Sequence, residues 1–214
     1  MPPVEEKSLR SRKKARSRQQ IADAAATLFG AKGYDEVTVA DVARLAEVSE
    51  QTVYNFFSSK EQLVLDEDAA FEARLIKTLR ERPNGKSLTD GVRADVHSFL
   101  DGLERWPEGP QNKGGMPYLI IVSPTLRRAW LEAVDRYSDS AAGVLVEESG
   151  GALSRPAAKV LGLSIVAVYA VIVDEVGRAT VEGMSVATRI ETLRLQVDDA
   201  LDRIAGSLNF SAQE

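Results

Sequence analysis

Residues 17–65 read SRQQIADAAATLFGAKGYDEVTVADVARLAEVSEQTVYNFFSSKEQLVL. Within this stretch Ile21, Ala24, Ala25, Leu28 and Phe29 recur at i, i+3, i+4, i+7 and i+8. They form one apolar stripe on a helix that Gly33 can close in the left-handed conformation. Thr38, with Asp41 three residues on, has the form of a capping box, Asp standing where Glu or Gln is usual. It opens a helix through Val39, Val42, Ala43 and Ala46, and Ser49 starts another within three residues. So short a break between two short helices marks a helix-turn-helix, not a bundle hairpin. Lys60 is expected to begin a longer helix carrying Val64, Phe71, Leu75 and Leu79 and stopped by Pro83-Asn84-Gly85.

Outward from this stretch the pattern stays helical, and the fold class is all-α. Val92, Val96, Phe99 and Leu103 make a further stripe, ended by Trp106-Pro107 and a Gly/Pro-rich loop through Pro117. Ser123-Pro124 is an N-cap followed by proline at the first helical position, and Leu126, Trp130, Ala133, Tyr137 and Leu145 lie along one side of the helix it opens. Two more helices are expected from Ser154 to about Glu182 and from Ser185 to about Leu208. The expected organisation is a basic N-terminal arm (1–16), a helix-turn-helix domain (17–60) and a helical bundle (61–214).

The chain has 214 residues, of which 44% are hydrophobic and 28% charged, enough to bury a substantial core. With no cysteine and the single His97, disulfides, thiolate zinc sites, thiol nucleophiles and multi-histidine metal clusters are ruled out. No metal and no cofactor are expected. The formal charge is -5, yet from Lys7 to Gln20 seven basic residues, Arg16 and Arg18 among them, follow one another without an acid. Residues 1–60 hold 10 basic and 8 acidic side chains against 17 and 24 in the remainder, so the two parts have opposite electrostatic character. No apolar segment follows the basic stretch, as a secretory signal would require. The longest apolar run, Val160 to Val173, has about 14 residues, short of the ~20 that span a bilayer. No membrane partner is expected, and the location is expected to be cytoplasmic.

Residues 17–65 resemble the DNA-binding domain of the TetR family of bacterial transcriptional regulators. The matching positions are Ile21, Ala24-Ala25, Leu28-Phe29, Gly33, Thr38-Val39, Val42-Ala43, Val48-Ser49, Thr52-Val53-Tyr54, Phe57, Lys60-Glu61 and Leu63. The resemblance implies a homodimeric repressor that binds a palindromic double-stranded DNA operator and is released by a small-molecule effector taken up in the bundle, with no enzymatic activity. In a helix-turn-helix the second helix enters the major groove, where short polar side chains are wanted. Ser49, Glu50, Gln51, Thr52 and Asn55 supply them. Thr38, Tyr54 and Lys60 correspond to phosphate-contacting positions, and the arm with Arg16 and Arg18 is expected to reach the DNA backbone or minor groove.

Three positions depart from the family pattern. Glu47 replaces the frequent turn glycine and is expected to accept a positive φ at a cost of about 1 kcal/mol. Phe56 stands where Tyr or His is usual and cannot hydrogen-bond a phosphate. Glu50 puts a carboxylate near the groove, where it accepts from a cytosine amine, repels phosphate, or simply complements the helix dipole.

In the second domain His97 reads as a satisfied core or edge residue, and Lys113-Gly114-Gly115 as a flexible turn lacking phosphate-loop spacing. Asp66-Glu67-Asp68, Asp174-Glu175 and Asp198-Asp199 read as solvated helix faces. Phe99, Leu103, Tyr118, Trp130 and Val134 are candidate linings of a cavity for an elongated, mostly apolar effector. Ile190, Leu193, Val197 and Leu201 repeat at coiled-coil-like spacing and are the candidate dimer interface. Two alternatives stay open at this stage: a ligand-independent dimeric DNA-binding protein, and a helical enzyme or lipid carrier with a degenerate helix-turn-helix.

Overall fold

A computed structural model describes residues 4–66, 68–81, 87–105 and 109–208. The stripe on the first helix is buried as its spacing requires: Ile21, Ala25 and Phe29 are all but inaccessible in α1 (Val4–Lys32). Gly33, at φ 84°, ends the helix and donates its N–H to the Phe29 carbonyl at 2.9 Å. The basic arm is not separate from this helix. From residue 4 it continues α1 in a single run of 29 residues.

The Thr38 capping box opens α2 (Val39–Leu45), and Ser49 caps α3 (Glu50–Phe56). After Phe57 the expected long helix does not begin at Lys60. A single tight turn, Glu61–Leu63, comes first, and α4 runs from Asp68 to Arg80. Side chains tie the intervening segment to its neighbours: the Lys60 ammonium donates to the Tyr34 carbonyl at 2.6 Å, and Asp66 pairs with Arg18. The Pro83-Asn84-Gly85 stop and Trp106-Pro107 lie outside the described residues.

The bundle comprises α5 (Leu88–Glu104), α6 (Met116–Val122), α7 (Pro124–Glu148), α8 (Arg155–Val181) and α9 (Val186–Leu208). Helix α6 begins at the end of the expected loop and fills the stretch after Pro117, for which no element is expected. It carries no amphipathic signal because it is covered on two sides: Leu119 packs in the N-terminal core and Ile120 in the bundle core. Leu126 of α7 also belongs to the N-terminal core. Residues beyond position 60, Leu63, Leu119 and Leu126, thus contribute to the N-terminal core.

The turn at Lys113-Gly114-Gly115 is a close contact, not a loose one. A Cβ on Gly114 would lie 2.2 Å from the Ala26 carbonyl oxygen of α1. Helix α8, at 27 residues, is longer than the apolar run inside it, and by length and composition it could cross a membrane. Here it is a core helix, with Ile165, Tyr169, Ile172 and Val176 buried.

The acidic pairs are not bare solvated faces. Asp174 pairs with Arg127 of α7, Glu175 with Arg189 of α9, and Asp198 with Arg93 of α5 at 2.5 Å. Asp198 also meets His97 Nε2 at 2.9 Å, which makes His97 a satisfied edge residue between α5 and α9.

Ile190, Leu193, Val197 and Leu201 are 0, 2, 5 and 0% exposed, inside this chain's own core. Their stripe faces α5 and α8, so the expected dimer interface is corrected. The large apolar side chains that α8 turns outward are Val160, Leu163, Val171 and Val181, at 64, 46, 54 and 49% exposure.

Candidate nucleic-acid interface

Local hydrogen bonds set the geometry of α2, the turn and α3. The Asp41 carboxylate accepts from the Thr38 N–H at 3.0 Å and from its hydroxyl at 2.6 Å, while the Asp41 N–H donates back to Thr38 Oγ1 at 3.1 Å. The Thr38 side-chain hydrogen bond, its backbone partner and nearby Arg44 hold the Asp41 carboxyl down at about 2. Thr38 is thus a cap first, although its side chain remains exposed.

Glu47 closes α2 at φ 54°. Its N–H donates to the Arg44 carbonyl at 3.2 Å, and the Val48 N–H to the Ala43 carbonyl at 2.9 Å. This is the double bond pattern of a Schellman ending, with glutamate in the place that favours glycine. Gln20 of α1 secures the same turn, donating to the Ala46 carbonyl at 2.9 Å.

In α3 one side is buried and the other displayed. Val53, with Phe57 just beyond, fills the core. Glu50, Gln51, Tyr54 and Asn55 are exposed, and Thr52 is half-buried. Ser49 Oγ accepts from the Thr52 N–H at 3.1 Å and lies 2.8 Å from its hydroxyl. The Gln51 side-chain amide donates to Asn55 Oδ1 at 3.2 Å, so these two candidate readers form one polar edge. Two short helices joined by the four residues 46–49, the second presenting a polar face, are the form of a helix-turn-helix reading head.

Residues 21–66 match the family described as "Bacterial regulatory proteins, tetR family". The chain is 28% identical over 207 residues to the HTH-type transcriptional regulator TcmR of Streptomyces glaucescens, covering 94% of this chain and 88% of that protein. Residues 21–66 are therefore a TetR-family segment. The chain is a DNA-binding transcriptional regulator and not an enzyme. A mycofactocin biosynthesis transcriptional regulator, MftR, of Mycobacterium tuberculosis is 28% identical over 130 residues, 59% of this chain and 66% of that one. Among solved structures, a TetR-family regulator from Mesorhizobium loti has the same fold, with a TM-score of 0.51 at 22% identity over 89% of this chain and 97% of that one.

In this TetR-family head two expected DNA contacts have other partners. Arg18 donates to the Phe56 carbonyl at 2.7 Å, pairs with Asp66 and lies 4.5 Å over the Phe57 ring. It is a clamp between α1, the end of α3 and the approach to α4. Lys60, held by the Tyr34 carbonyl, also sits 4.1 Å over the Tyr34 ring, and desolvation there lowers its pKa. Neither role could be read from spacing, because both partners lie more than 25 residues away in sequence. Arg16, by contrast, is exposed on α1.

The candidate effector-lining residues do not share one place. Tyr118 packs against the N-terminal core, whereas Leu103 and Trp130 are buried in the bundle and Phe99 and Val134 pack against it. Phe99 joins an aromatic cluster with Phe71 and Tyr169, and the Tyr169 hydroxyl donates to Asp95 at 2.6 Å.

Proposed function

We propose that this regulator represses transcription as a cytoplasmic homodimer, seating two α3 helices in successive major grooves of a palindromic operator and leaving it when a small molecule binds the bundle half. The observation that carries the reading is the divided α3: Val53 buried, and Glu50, Gln51, Tyr54 and Asn55 displayed from a turn fixed by capping at both ends. Gln51 and Asn55 read base edges, and Arg16 and Tyr54 meet phosphates. Ser49 and Thr38 orient the two helix starts, and Arg18 and Lys60 position the head. The dimer forms through the outward apolar side of α8 at Val160, Leu163 and Val171. Release requires only that the effector favour the arrangement that does not fit the operator.

The test compares operator and random duplexes across a salt series, with the operator selected from a random library. Gln51→Ala is expected to cost about 1–3 kcal/mol on the operator and little on random DNA. Arg16→Ala is expected to weaken both alike and to reduce the salt slope by about one. A Gln51→Ala protein that lost affinity equally for both duplexes would show that α3 does not read bases.

A further inference from the structure

We infer that the cleft between residues 59–65 and α7 is the effector site, and that it takes a small amino-acid-like zwitterion with an apolar side chain. The inference rests on the regulatory reading above and names its ligand class. The cleft has a volume of about 430 Å³, within the range of small-molecule sites. Ser59, Glu61 and Gln62 form one wall, and the α7 face from Thr125 to Arg136 forms the other.

The charges decide what fits. Glu61 is already provided for: the Ser59 hydroxyl first, and then its own backbone amide, hold its carboxyl below the usual range. Arg136 lies 4.0 Å from Glu72 and over the Tyr137 ring, so it frames the far end. Arg128 and Glu132 differ. Both are exposed in the cleft, one helical turn apart, and among the described residues neither has an ion pair or a hydrogen bond. Arginine preceding glutamate at i, i+4 is the poorer orientation for a helical pair, which leaves both charges to the ligand. A plain anion would face the Glu132 carboxylate and a plain cation the Arg128 guanidinium, whereas a molecule carrying both groups satisfies the two together. Leu65, Ala129 and Ala133 supply an apolar floor for its side chain.

The position also couples to DNA. Leu63 packs in the N-terminal core and Leu65, two residues on, in the bundle core. Asp66 in turn holds Arg18, which clamps the end of α3. A ligand spanning the cleft therefore acts on the segment that carries the reading head.

The experiment is calorimetric titration of the full chain with L-leucine and L-phenylalanine, alongside 3-phenylpropionate and phenethylamine, which lack the ammonium and the carboxylate respectively. An amino acid should bind at least tenfold more tightly than either truncated analogue. Arg128→Ala and Glu132→Ala should each weaken it at least tenfold at an unchanged melting temperature, and saturation should change operator affinity threefold or more. Equal binding of 3-phenylpropionate or of phenethylamine overturns the zwitterion assignment, and absence of binding by either amino acid overturns the site. An unchanged operator affinity at saturation overturns its role as effector site. Intact operator binding without amino-acid binding would sink this inference alone, whereas amino-acid binding with both variant effects in a chain that binds no DNA would sink the regulatory reading alone.

Discussion

The Arg18 guanidinium donates to the carbonyl oxygen of Phe56 at 2.7 Å, joining the middle of α1 to the last residue of α3. With the same side chain paired to Asp66, truncation removes one charged hydrogen bond and one ion pair whose Arg18 side is 40% exposed. Arg18→Ala is expected to lower stability by about 1–2 kcal/mol, discounted for that exposure, in chemical denaturation. The salt slope of operator binding should stay as it was. A reduced slope with unaltered stability would return Arg18 to the phosphates.

Glu47 holds φ 54° at the end of α2. Relief of the left-handed strain, about 1–2 kcal/mol, exceeds the added freedom of the unfolded chain, about 0.4–1 kcal/mol. Glu47→Gly should therefore stabilise the protein by roughly 0.5–1 kcal/mol. A lower denaturation midpoint would mean that the glutamate side chain contributes something beyond the turn.

Acid should act on the α2 cap. The Asp41 carboxyl, held at about 2 by Thr38 and then Arg44 against an ordinary 3.8, favours the folded state in its charged form. Its contribution is therefore complete above about pH 4 and is lost as pH falls through about 2. Asp41→Asn should flatten the pH dependence of stability over that interval. An identical acid limb in wild type and variant would refute the assignment.

Two glycine substitutions should act in opposite directions. At Gly177 of α8 a Cβ would lie 2.2 Å from the Pro117 carbonyl oxygen of α6, whereas at Gly102 of α5 nothing lies within 4 Å. Gly177→Ala should cost about 1–3 kcal/mol or more by forcing α6 away. Gly102→Ala should add roughly 0.5–1 kcal/mol through helix propensity. Similar melting temperatures for the two variants would contradict the close α6–α8 contact.

What the sequence alone determined is local. The Thr38 and Ser49 caps, the Gly33 ending and the Ser123-Pro124 and Ser154 starts all depend on hydrogen bonds among residues within about four positions of one another, so spacing and residue type suffice, whereas the positive φ at Glu47 followed from the family resemblance. The displayed α3 face was legible for the same reason, since a helical period separates Val53 from Gln51 and Asn55. Tertiary structure decided the rest. Helix α6 has no period to read, because two cores bury it from two sides. The intramolecular partners of Arg18 and Lys60 were hidden because Phe56, Asp66 and Tyr34 come from 26 to 48 residues away. Leu193 and Val197 moved from a dimer face to the core because an apolar stripe states only that it is covered, and α5 and α8 of the same chain lie against it. The cleft between residues 59–65 and α7 exists only where two distant segments meet, and no run of neighbouring residues encodes that meeting.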